Sequence, residues 1–107
     1  MIQTVGTEKM AEVAGRADAV IVDVRQPEEY ASRHIKGAVL APHTDIESYL
    51  GDLPRDKDLY LTCEVGARSA YACEYLEAAG FTRLFNVVPG MSTWRGPVEK
   101  GLPPNWK

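Results

Sequence analysis

Strands alternating with helices, in a chain too short for two cores, place this sequence in the α/β class with a mainly parallel sheet. Three observations carry that expectation. Residues 19–22 (AVIV) are an unbroken aliphatic run, the pattern of a strand covered on both faces. Residues 59–62 and 84–88 are further short apolar runs, and the stretch between them has apolar residues at helical spacing. Glycine or proline stands at the junctions, at Gly15, Pro42, Gly51, Gly80 and Pro89-Gly90. With 107 residues, the chain is expected to form one domain over 1–107.

Residues 1–5 read as an edge strand at the N-terminus. Thr7 is the expected N-cap of a short helix over 7–14, with Met10, Ala11 and Ala14 at helical spacing and Gly15 as its stop. The strand over 19–22 follows and runs out into Asp23, Val24 and Arg25. Pro27 suits the first turn of a helix carrying Glu28, Glu29, Tyr30 and Ala31, because its missing N–H has no partner there anyway. A second short strand is expected over 38–40, stopped by Pro42, then a helix capped by Asp45 that runs through Ile46, Tyr49 and Leu50. After the strand over 59–62, a helix beginning near Ser69 puts Ala72, Cys73, Leu76 and Ala79 on one stripe and ends at Gly80. The last strand is 84–88, followed by a turn or two of helix over 91–95 and an extended tail.

The formal net charge of −3 and a pI near 5.3 exclude a basic nucleic-acid surface or a patch for anionic membranes. Two cysteines make no disulfide framework, and no apolar run approaches the length of a bilayer span, so a reducing cytoplasm is the expected location.

In parallel sheets, ligands sit beyond the carboxyl ends of the strands, and Cys63 lies at such an end. Gly66 permits a tight turn and Ala67 crowds nothing. The N–H groups of Glu64, Val65, Gly66, Ala67, Arg68 and Ser69 are therefore candidate donors around the Cys63 sulfur. The following helix adds its unpaired first-turn N–H groups and its positive dipole end. Such surroundings lower a thiol pKa, so Cys63 is the candidate nucleophile as a thiolate. Arg68 adds a fixed cation that either holds the loop through carbonyls or meets an anionic donor. Cys73 falls on the apolar helix stripe, which makes it a core residue. His34 is expected to be a hydrogen-bonded structural residue, His43 a solvated one and Trp94 part of the core.

Four segments, Asp23-Val24-Arg25, Glu29-Tyr30 before His34-Ile35-Lys36-Gly37-Ala38, the loop from Cys63 to Ser69, and Pro89-Gly90-Met91-Ser92-Thr93-Trp94, resemble rhodanese domains in order and spacing. The resemblance covers nearly the whole chain. It implies a five-stranded parallel sheet flanked by helices, no metal or organic cofactor, and a sulfurtransferase reaction. In that reaction Cys63 takes the outer sulfur of a donor such as thiosulfate, holds it as a persulfide and passes it to cyanide or a thiol; a protein donor is also compatible. Asp23 and Arg25 match the family's Asp-x-Arg element and are expected to form a charge cluster with Glu29 at the strand end. Arg33, Lys36 and Pro89 depart from common family residues in loops. Glu64 follows the cysteine where many active members carry a basic or neutral residue, which puts a carboxylate at the expected pocket mouth and disfavours thiosulfate as the donor.

Two other functions compete. Phosphatases and arsenate reductases on the same fold resemble a Cys-x5-Arg plan, whereas this chain has four residues between Cys63 and Arg68, a cradle better suited to a sulfur atom. A non-catalytic binding module is the other, and the presence of Cys63 argues against it.

Overall fold

Short apolar runs with no polar face become strands only if both sides are covered, and the computed structural model arranges them so. It describes residues 1–104 and 106. Strands β1 (Ile2–Gly6), β2 (Ala19–Asp23), β4 (Val39–Leu40), β5 (Asp58–Thr62) and β6 (Leu84–Val88) form one five-stranded sheet in the order β1-β6-β5-β2-β4. Every pairing in it is parallel, with Val22 opposite Leu61 and Leu61 opposite Asn86 at its centre. The five-stranded α/β expectation holds.

Side chains alternate across the sheet and so divide the core in two. Leu59, Leu61 and Cys63 share one core with Ala72, Cys73 and Leu76 of helix α3 (Ala67–Ala78) and with Ile46 and Leu53. Tyr60, Ile21 and Val87 face the other way, toward Met10 and Val13 of helix α1 (Glu8–Val13), and are joined by Ile35, Met91 and Trp94. The expected core positions of Cys73 and Trp94 are therefore correct. Helix α2 (Pro27–Ser32) begins at Pro27 behind an N-terminal capping box in which Gln26 and Glu29 bond reciprocally.

Four local expectations change. Thr7 makes no cap bond: its hydroxyl donates to the Gly90 carbonyl and accepts the Gly90 N–H, so a long-range tether replaces the local one. The helix expected from Asp45 is a 3-10 segment, His43–Tyr49, kinked at Asp45. Helix α3 starts at Ala67, two residues before Ser69, because Gly66 at φ +103° turns the chain straight into it. Finally, His34–Ile35 forms strand β3, antiparallel to β7 (Val98–Glu99), where a connection and a plain tail were expected. Two-residue strands leave no periodicity to read.

Candidate active site

The centre of the parallel sheet delivers Cys63 at the carboxyl end of β5, with Asp23 at the same end of the neighbouring β2. The Cys63 side chain has no exposed surface. Gly66 N–H donates to its Sγ at 3.1 Å and Ser69 N–H at 3.4 Å, and the Ser69 hydroxyl lies within hydrogen-bond reach at 3.4 Å. Burial pushes the Cys63 thiol up. The Ser69 hydroxyl and the N–H groups of Ser69, Gly66 and Val65 outweigh that and bring it below the ordinary thiol value. Of the six amides expected to surround the sulfur, those of Gly66 and Ser69 reach it within hydrogen-bond distance, and that of Val65 adds to the pull. Among the described residues, the amides of Glu64, Ala67 and Arg68 make no hydrogen bond to Sγ.

Two buried partners hold this arrangement from behind. Ser69 Oγ is also bonded to Asn86 Oδ1 and to the Gly66 carbonyl at 3.2 Å, fixing the hydroxyl beside the sulfur. The turn after β6 clamps the loop backbone: Met91 N–H donates to the Cys63 carbonyl at 2.8 Å and Ser92 N–H to the Glu64 carbonyl at 3.1 Å. Gly90 makes that approach possible. It sits at φ +112°, and a Cβ there would collide with the Cys63 carbonyl oxygen and with Thr62 Oγ1. Asn86, Gly90, Met91 and Ser92 were not expected at the site. Pro89-Gly90 marked only a turn, and a backbone clamp from a distant loop leaves no pattern near the cysteine.

The charges behind the loop pair differently from the expected cluster. Arg25, almost fully buried, bonds Asp23 through Nε and Nη2 at 3.0 and 2.8 Å and also donates to the Arg33 carbonyl at 2.7 Å. Glu29 instead accepts both arms of Arg68, at 2.6 and 2.9 Å. This bidentate pair holds the Glu29 carboxyl at about 2, mainly through the Arg68 hydrogen bonds, and raises Arg68 further. Arg68 thus bonds a carboxylate from α2 rather than the loop carbonyls. The Glu64 side chain is half-exposed as expected, yet its Oε1 lies 3.6 Å from Arg25 Nη1, so its charge is partly matched.

Among the remaining candidates, His34 is buried, stacks on Tyr30 and bonds its carbonyl through Nδ1 at 2.8 Å, the structural role expected of it. His43 is not a freely solvated side chain: Nδ1 lies 3.3 Å from the Val24 carbonyl, and with Thr44, Ala67, Arg68 and Tyr71 it lines a shallow hollow of about 420 Å³ beside the loop. Cys73 is fully buried and its thiol is pushed up to about 12, first by burial and then by Glu74 and Glu77. No helix among the described residues is long and apolar enough to cross a membrane, and no group of metal-ligating side chains is found among them.

Comparison with known proteins agrees with this geometry. The model of the rhodanese-like domain matches residues 7–97. A sulfurtransferase of Allochromatium vinosum is 33% identical over 104 residues, spanning 96% of this chain and 94% of that one. The Bacillus subtilis protein YrkF, which carries the provisional name of a sulfur carrier protein, is 39% identical over 79 residues; the match takes in 74% of this chain but 43% of that protein's length. The crystal structure of a rhodanese-like domain protein from Staphylococcus aureus superposes with a TM-score of 0.83 at 33% identity, covering 92% of this chain and 97% of that one.

Proposed function

Because the chain belongs to the rhodanese-like domain family, we propose that it is a sulfurtransferase or persulfide carrier with Cys63 as nucleophile. One observation carries this reading: a fully buried thiol whose pKa is nevertheless lowered, because the Ser69 side chain and the amides of Ser69, Gly66 and Val65 converge on the sulfur. A packing cysteine needs none of these donors, as Cys73 illustrates.

In the first half-reaction the Cys63 thiolate attacks the outer sulfur of a sulfane donor. The new S–S bond forms as the donor's S–S bond breaks, and its electron pair leaves with the donor fragment, as a thiolate from a hydropersulfide or as sulfite from thiosulfate. In the second, the nucleophilic atom of a thiol or cyanide takes the outer sulfur, and the Cys63 thiolate returns. Charge stays on or next to the sulfur throughout, so fixed amide donors stabilise each state without reorganising. Glu64, Val65, Gly66, Ala67, Arg68 and Ser69 form the substrate-facing loop, and a reducing cytoplasm is where a free thiolate of this kind persists. The test is intact mass after incubating the reduced protein with thiosulfate, and separately with a cysteine desulfurase and cysteine. Addition of one sulfur atom to wild type and none to Cys63→Ser is expected; equal addition to both proteins overturns the assignment.

A further inference from the structure

Arg68 and Arg25 beside the loop are both taken by carboxylates, and a third guanidinium, that of Arg33, donates to the Met91 carbonyl at 2.9 Å. Arg68 spends both arms on Glu29 at 2.6 and 2.9 Å, and Arg25 is held by Asp23 at 2.8 Å with Glu64 at 3.6 Å on its remaining face. Asp23, Glu29 and Glu64 thus take up the two guanidinium groups beside the loop, next to a nucleophile that is itself anionic. The loop answers with neutral N–H donors, of which two are already within reach of Sγ. A thiosulfate dianion approaching this mouth finds the Arg68 fork already occupied by Glu29 and loses Coulomb energy against Glu64 and the thiolate. A neutral or singly charged hydropersulfide loses far less.

Resting on the sulfurtransferase reading, we propose that the site selects sulfane donors of low charge, alkyl hydropersulfides, over thiosulfate, and that Glu29 determines this specificity by masking Arg68. Glu64 contributes in the same direction from the rim. The loading step is Cys63–S⁻ + R–S–SH → Cys63–S–SH + R–S⁻, balanced in atoms and charge, with the electron pair of the broken S–S bond leaving on the thiolate. With thiosulfate the same attack releases sulfite, and three negative charges must be gathered in one pocket. Glu29 acts through Arg68 rather than by touching the donor. Its exchange for glutamine keeps an oxygen for the Gln26 N–H, now 3.0 Å away, removes the charge, and replaces the second oxygen that holds Arg68 with an NH2 that cannot accept its other arm.

The experiment measures loading of Cys63 from thiosulfate and from 2-hydroxyethyl hydropersulfide, by intact mass against time at low and at physiological ionic strength, in wild type, Glu29→Gln, Glu64→Gln and Glu29→Gln/Arg68→Ala. Wild type is expected to load faster from the hydropersulfide. Glu29→Gln should raise kcat/KM for thiosulfate roughly three- to tenfold, mostly through KM, while changing the hydropersulfide rate less than about twofold; added salt should shrink the gain. Removing Arg68 as well should cancel at least half of that gain, since it is the freed guanidinium that attracts the anion. Glu64→Gln, at a half-exposed position, gives a smaller gain and serves as the second variant should Glu29→Gln fold poorly. A donor ratio unmoved by both substitutions, or moved equally when Arg68 is absent, overturns the proposal alone. Loading from neither donor overturns the sulfurtransferase reading and this one with it.

Discussion

At the scale of single residues, the two cysteines are a controlled comparison, since both are fully buried and their thiols move in opposite directions. Cys73 has burial and two glutamates around it; Cys63 has burial opposed by the Ser69 hydroxyl and the amides of Ser69, Gly66 and Val65. Cys63→Ser is therefore expected to abolish persulfide formation, whereas Cys73→Ser retains most of it, checked by trapping with iodoacetamide and intact mass. Ser69 is the residue that separates burial from activation. Its loss removes the largest stabiliser of the thiolate, so in Ser69→Ala the midpoint of Cys63 alkylation against pH moves up. The sign follows from the lowered thiol: thiolate is lost as pH falls through the folded value, so the variant slows most near pH 7 and matches wild type at high pH. An unchanged profile would mean that the amides alone set the thiolate. That backbone amides would gather around the Cys63 sulfur was legible from its neighbours in the chain. The partner of Arg68 was not, because Glu29 lies 39 positions away and joins it only through the fold.

At the scale of elements, the cysteine loop is positioned less by its own sequence than by the turn that follows β6. Cys63 and Glu64 offer their carbonyls to Met91 and Ser92, and Gly90 allows the two backbones to touch. Gly90→Ala combines a positive φ with a backbone collision. It is expected to cost about 2–4 kcal/mol, read as a lower urea midpoint, and to reduce loading of Cys63 even where the variant remains folded. Loop length makes a separate prediction. With four residues between Cys63 and Arg68, and the Arg68 fork on Glu29, cysteine-dependent release of phosphate from an aryl phosphate should stay at background; release above that of Cys63→Ser would contradict it. Long apolar runs and a capped helix such as α2 were readable in advance. The 3-10 segment and the β3–β7 ribbon were not, since each is held by contacts distant in sequence rather than by any periodicity of its own.

For the whole molecule, the order β1-β6-β5-β2-β4 puts the strand bearing Cys63 in the middle, flanked on both sides, so the site sits on the least deformable part of the fold. The ribbon at the chain's end lies elsewhere: β7 pairs with β3, and Gly101 N–H reaches the Ala31 carbonyl at 2.8 Å. A chain ended after Pro97 should lose about 1–3 kcal/mol of stability through these hydrogen bonds, seen as a lower thermal midpoint, and still load Cys63 at close to the wild-type rate. Full burial of the Cys63 sulfur also bears on how the protein ages. In the proposed persulfide a second sulfur would lie about 2 Å beyond the enclosed one, so that it is the outer atom of the pair. A peroxide then meets an expendable tip before it meets the cysteine. An oxidised tip is cut away when a thiol cleaves the S–S bond, whereas direct oxidation of a bare cysteine to the sulfonic acid is permanent.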